Sequence, residues 1–343
     1  MAEQTKHNKL HKANTEKHSV HNKNLQDSRA SFAKKNDNDD TNTNYGKDFT
    51  QNIVDRRTAK VHKMADYKET KATSLPQARV IACVNQKGGV GKTTTVVNIA
   101  TAMAAIGAKV LIIDFDPQGN ATTAFGVDKS KCQQNIYNAL IEGVSVGSVT
   151  IKTGIGQLDL LPSNVDLSAA EIELDNIDNR EFVLKQHIAS IRDKYHYILI
   201  DCPPSLGLLT INALSCADSI LIPIQCEFYA LEGLSHLLKT YQAMRRNFNP
   251  NLEIEGVALT MYDARCDQTH NIEQELRSFL GDKVYKTAIP RNVKLSEAPS
   301  YGVPGIIYDM SCSGSMAYIE LAKEIIDRIA LHGRSSTKKV KSA

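Results

Sequence analysis

The chain has 343 residues, 42% hydrophobic and 23% charged, which is enough material for a sizeable core and a composition ordinary for a globular protein. It contains no run of eighteen apolar residues and its N-terminus is polar, so neither a transmembrane helix nor a signal peptide is expected and the cytoplasm is the default compartment. The net charge of +3 is unevenly placed: residues 1–75 carry fifteen Lys and Arg against ten Asp and Glu, which leaves the rest slightly acidic.

Residues 1–75 are rich in Asn, Lys, Asp, Thr and His and lack sustained periodicity, so they cannot bury enough surface to offset their ordering entropy. They read as a disordered, basic, polar N-terminal extension. Within it, Phe49, Ile53, Val54, Val61 and Met64 fall loosely at helical spacing, which leaves open a short helix induced by a partner or a solvated linker.

From residue 76 the pattern changes. "RVIACV" at 79–84 is a short apolar run ending in a Gly-rich turn, "TTTVVNIATAMAAIGA" has helical spacing, and "KVLIID" is a second buried strand, together a βαβ unit. The alternation continues with "LDLLPS" near 158, a helical stretch over 180–193, "YILID" at 197, "SILIPI" at 219, a long helix over 230–247, "IEGVALTMY" at 254 and a closing helix over 314–331. This predicts one α/β domain over 76–332, a doubly wound, mostly parallel sheet, followed by a basic tail over 333–343. Seven cysteines without C-x-x-C spacing read as reduced, mostly buried thiols rather than a metal or iron–sulfur site.

The chemistry concentrates in "NQKGGVGKTTT", Asn85 to Thr95. Gly88, Gly89 and Gly91 let the backbone wrap a phosphate chain, with amide N–H groups turned inward and a helix N-terminus behind them. The expected phosphate-binding set is Gly88, Gly89, Val90, Gly91, Lys92, Thr93 and Thr94, with Lys92 reaching the β- and γ-phosphates and the Thr93 hydroxyl ligating Mg²⁺. A common phosphate loop would have glycine at position 86, where this chain has Gln86, and would not carry the additional Lys87. Carboxylates to assist the metal end two apolar strands: Asp201 after "YHYILI", and Asp114 with Asp116 in "KVLIIDFD".

"KGGVGKTTT", "DFDPQGNAT" and "DCPPSLGLLTINAL" together resemble the deviant Walker A ATPases of the ParA/MinD superfamily, P-loop NTPases in fold. "PIQCEFYALEGL", "IPRNVKLSEAPSYG" and "YIELAKEII" narrow the resemblance, over residues 79 to about 330, to Soj-type chromosomal ParA proteins. It implies ATP and Mg²⁺ as cofactors and an ATP-state homodimer, in which Lys87 reaches the nucleotide of the other subunit. It also implies that Asp116 positions the attacking water and lies on the metal side, Asp114 supports it, and Asp201 assists the Mg²⁺ held by Thr93. Pro290 matches a region lining the adenine, and Glu227 lies near the interface.

By the same resemblance the dimer binds DNA without sequence preference, through Arg265, Arg291 and Lys294, and a ParB-type centromere-binding protein stimulates hydrolysis. This places the protein on the nucleoid, without stable membrane association. One departure stands out: where the family carries basic residues after "IIYD", this chain reads "DMSCSG", Asp309 to Gly314. Either DNA affinity is lower here or the basic N-terminal segment and "RSSTKKVK" supply the missing charge. Two alternatives use the same switch: a ParA-like ATPase that positions another cellular cargo, and a MinD-like regulator that cycles on membranes.

Overall fold

The computed structural model describes residues 78–340, with side chains through Leu331. The reading of residues 1–75 lies outside the described residues.

Among the described residues, seven strands form one sheet in the order β3-β4-β2-β5-β1-β6-β7. They are β1 (Arg79–Cys83), β2 (Val110–Asp114), β3 (Ile151–Lys152), β4 (Leu158–Leu161), β5 (Tyr197–Asp201), β6 (Ser219–Gln225) and β7 (Glu253–Thr260). All pairings are parallel except that of the two-residue β3 with β4. The longer helices are α1 (Lys92–Ala105), α2 (Leu208–Cys216), α3 (Ala230–Asn247), α4 (Asp267–Leu280) and α5 (Ser313–Val340).

Both faces of the sheet are covered, which explains why the strands read as continuous apolar runs rather than alternating ones. Along β1, Val80 and Ala82 face one core with Leu209 and Ala213 of α2 and Leu234 of α3. Ile81 and Cys83 face the other, with Val96 and Ile99 of α1 and Tyr318 and Leu321 of α5. Each fully buried Val, Leu or Ile contributes about 1.5–3 kcal/mol, so these two layers hold the sheet between its helices.

The sheet and its covering helices are those of a doubly wound P-loop NTPase, as expected. Three local details differ. The helical stretch at 180–193 resolves into a helix over Val183–Ala189 flanked by 3₁₀ turns at Arg180–Phe182 and Arg192–Lys194. α5 continues to Val340 instead of stopping near 331, because the stretch after it contains no proline and a helix once nucleated propagates. Most of the segment expected as a basic tail is therefore helical. α2 and α4 are elements that the apolar spacing above does not mark.

β1 lies inside the sheet between β5 and β6, and its C-terminal end opens into the phosphate loop. β2 and β5 end beside it in register: Cys83 is opposite Asp201, and Asp201 is opposite Asp114. The topology thus brings three sequence-distant motifs to one crevice at the carboxyl ends of the strands.

Candidate functional site: a phosphate-binding cleft

The loop after β1 leads directly into α1. Gly89 and Gly91 have φ of 75° and 86°, a region that L side chains rarely adopt, and Gly91 caps α1 in this conformation without a side-chain cap. A Cβ at Gly88 or Gly89 would meet nothing within 4 Å, so both face open space over the cleft. The first N–H groups of α1 are left for a ligand, which suits an anion. Val90 is buried and its carbonyl accepts the buried Thr260 hydroxyl at 2.8 Å, which ties the loop to the end of β7.

A cleft of about 460 Å³ opens here, lined at one end by Gly88, Gly89, Gly91, Lys92, Thr93 and Thr94 and on one wall by Asp116 and Gln118. Lys92 is buried and its Nζ lies 3.4 Å from the Lys87 carbonyl oxygen, so the ammonium stays within the curl of the loop. The lining also has an apolar part, Leu295, Val303 and Pro304, and includes Asn98. Pro290 is not among the residues lining this cleft; it lies in a bridge to Tyr262, and the chain turns after it into the helix Val293–Glu297, which brings Leu295 to the cleft.

The three carboxylates differ in surroundings. Asp201 is fully buried and neither of its oxygens has a hydrogen-bond partner among the described residues. Burial, reinforced by Asp114 and Asp116, pushes its pKa well above the usual carboxylate range; Thr93 and Lys92 act in the opposite sense without offsetting this. An orphaned buried carboxylate beside a hydroxyl is a hard oxygen donor set, and it fits a divalent cation such as Mg²⁺.

Asp114 is also buried, and burial raises its pKa to about 6 although Thr122 donates to its Oδ2 through both N–H, at 2.7 Å, and hydroxyl, at 2.6 Å. Asp116 accepts Gln118 N–H on Oδ1 at 2.9 Å and presents its side chain to the cleft. Thr122 and Ser163 carry polar contacts here that the sequence reading overlooked, although Thr122 lies in the quoted "DFDPQGNAT" and Ser163 ends "LDLLPS".

Lys87 is not among the residues that line the cleft. Its side chain is exposed and its Nζ pairs with Glu227 Oε2 of the same chain. Next to Glu227, Phe228 and Tyr229 are 76% and 65% exposed and pack edge to face with centroids 5.1 Å apart. Neither Lys87 nor Glu227 lines the cleft.

The expected DNA cations are all exposed. Tyr262 N–H donates to the Ile289 carbonyl at 2.9 Å and Arg291 N–H to the Tyr262 carbonyl at 3.3 Å, so the segments carrying Arg265 and Arg291 are neighbours. Arg265 holds Asp263 through Nε at 2.9 Å and Nη2 at 2.8 Å. Lys294 pairs with Glu297 at 2.9 Å and lies over the Tyr308 ring.

A family profile described as an AAA domain matches residues 78–254. Sporulation initiation inhibitor protein Soj of Bacillus subtilis is 50% identical over 247 residues, which is 72% of this chain and 98% of that protein. Chromosome partitioning protein ParA of Caulobacter vibrioides is 48% identical over 252 residues, 73% of this chain and 94% of that one. Among solved structures, cobyrinic acid a,c-diamide synthase from Mycobacterium smegmatis, with bound ADP and magnesium, is similar with a TM-score of 0.63 at 34% identity, covering 72% of this chain and 93% of that one. A second structure of that synthase holds an ATP analogue and magnesium. With its two-lysine phosphate loop and its close identity to these partition proteins over nearly their whole length, the chain belongs to the ParA/Soj family of chromosome-partitioning ATPases.

Proposed function

We propose that this chain is a Mg²⁺-dependent ATP switch that partitions DNA: two copies close around two ATP molecules, the closed form binds DNA without sequence preference, and a ParB-type partner stimulates hydrolysis and release. ATP and Mg²⁺ are the ligands of the cleft. Lys92 and the α1 N-terminus hold the phosphates, and the apolar part of the lining takes the base. Thr93 and Asp201, with Asp116 on the same side, would hold the metal, which would supply charge neutralisation at the phosphates. Asp116 orients the attacking water and Asp114 supports it, since phosphoryl transfer to water asks the protein for positioning more than for covalent chemistry.

The observation that carries this reading is the division of labour between the two lysines. Lys92 is buried in the loop, whereas Lys87 is exposed, outside the cleft and beside two exposed aromatic rings. A cation placed outside its own site is available to the phosphates of a second copy, and loss of the γ-phosphate would then release the pair. Arg265, Arg291 and Lys294 form the proposed DNA surface, which places the protein on the nucleoid. We propose the domain limits 76–332 for the catalytic unit, with the flanking segments as accessory.

Gel filtration with ATP tests the switch. Asp116→Ala accumulates as a dimer, and Asp116→Ala combined with Lys87→Ala elutes as a single chain; a dimer of unchanged affinity in the double variant would contradict the role given to Lys87.

A further inference from the structure

Asp116 begins a tight turn that closes when Gly119 N–H donates to the Asp116 carbonyl at 2.8 Å. A second donor reaches that carbonyl from the end of β4: the hydroxyl of Ser163, fully buried, at 2.9 Å. Ser163 N–H in turn donates to Thr122 Oγ1 at 2.9 Å, and the Thr122 hydroxyl donates to Asp114 Oδ2 at 2.6 Å. Asp114, Thr122, Ser163 and Asp116 thereby close a ring of contacts between the ends of β2 and β4, which are neighbours in the sheet.

The turn is also packed from outside. Lys129 Nζ donates to the Gln118 carbonyl at 2.6 Å. A Cβ at Gly119, where φ is 58°, would stand 2.8 Å from the Ser163 carbonyl oxygen and 2.5 Å from Lys129 Cδ. Neither Ser163 nor Thr122 lines the cleft, so neither can touch a ligand there. Fully buried hydroxyls are costly unless their bonds are made, and these two bond to the backbone of one candidate catalytic residue and the carboxylate of another.

We infer that Ser163 and Thr122 are positioning residues: they hold the Asp116 turn against the ends of β2 and β4 and so fix where the Asp116 carboxylate stands over the phosphates. The inference rests on the reading of Asp116 as the water-orienting residue. A group that acts by positioning must be held within about half an ångström, and a second hydrogen bond on the Asp116 carbonyl helps to hold its turn there.

The test uses the full chain, with steady-state hydrolysis of ATP in Mg²⁺ and equilibrium ATP binding. Ser163→Ala keeps Gly119 N–H on the carbonyl, and its kcat is expected to fall roughly 10- to 100-fold while the KM for ATP stays within about threefold. Thr122→Ser, which retains the hydroxyl, stays within about threefold of the parent; Thr122→Val, of similar shape without it, follows Ser163→Ala. Adding Ser163→Ala to Asp116→Ala produces no further loss, because both act on one group.

Full kcat in Ser163→Ala and Thr122→Val alongside an inactive Asp116→Ala overturns the positioning role and leaves the reading of Asp116 intact. Parental turnover in Asp116→Ala overturns both. A rise in KM with unchanged kcat also counts against the proposal, since it marks a distorted cleft. Should Ser163→Ala fail to fold, the Thr122 pair decides: recovery in the Ser variant alone supports positioning, and equal losses in both overturn it.

Discussion

The Lys87 ammonium is ion-paired with Glu227 of its own chain, 140 residues away, and so already has a partner before any second copy arrives. Both side chains are exposed, at 41% and 46%, and a surface pair of this kind contributes about 0–1 kcal/mol. Exchanging Glu227 for the phosphates of a second copy therefore costs little. Glu227→Gln should leave thermal stability almost unchanged and raise, or leave equal, the dimer fraction measured by light scattering with ATP at low salt. Loss of the dimer in this variant would mean that Glu227 acts within the assembled pair instead.

Arg265 is held by Asp263, but the pair is exposed and phosphate oxygens can compete for the guanidinium. Arg265→Glu should abolish DNA retention of the ATP form in a filter-binding assay while ATP binding persists. Arg265→Ala should lower the slope of log affinity against log salt by roughly 0.9, the share of one phosphate contact. An unchanged slope would remove Arg265 from the interface.

The phosphate loop and the sheet were legible because their signals are local or continuous. β1, β2, β5 and β6 lie between two helical layers and read as unbroken apolar runs, and the loop is one uninterrupted motif. α2 was not legible by period: Leu209 to Cys216 is buried almost throughout except Ile211, so the alternation that marks a surface helix is missing. α4 buries only Thr269, Ile272 and Leu276, a stripe too sparse to stand out among its charges. The contact of Ser163 with Thr122 spans 41 residues and joins two small polar side chains, which no periodicity announces. Leu295 was not legible as a lining residue, because only the turn after Pro290 into the next helix brings it to the cleft.

The thiols should separate sharply in reactivity. Cys266 is exposed at the start of α4, where the Thr269 backbone and hydroxyl and the Gln268 backbone lower its pKa. Burial pushes Cys83 and Cys202 well up, and raises Cys226 to about 11. The thiolate is the nucleophile, so a lowered pKa means a larger reactive fraction at every pH below the plateau. Iodoacetamide at pH 7.5 should label Cys266 first by peptide mass mapping, with a rate that levels off at a lower pH than that of free cysteine. ATP with DNA should slow this labelling if the Arg265 segment lies on DNA; rapid labelling of Cys83 or Cys202 in the native chain would contradict the burial described.

Asp201 offers the clearest separation of stability from function. Its carboxylate is buried without hydrogen-bond partners, so the ligand-free fold carries an uncompensated polar group whose burial costs about 1–3 kcal/mol. Asp201→Asn replaces, at nearly constant volume, a carboxyl whose charged form burial and the neighbouring Asp114 and Asp116 oppose. In EDTA and without nucleotide, the variant should melt higher than the parent by roughly 2–4 °C, the shift that about 1 kcal/mol produces in a domain of this size. With Mg²⁺ and ATP the order should reverse, because ligand bound only to the folded state stabilises the parent by mass action and the variant has lost a metal-side oxygen charge. Scanning calorimetry under both conditions reads the two effects separately. A ligand-free variant less stable than the parent would show that Asp201 is compensated within the chain, and an equal gain from Mg²⁺ and ATP in both proteins would remove it from the metal site.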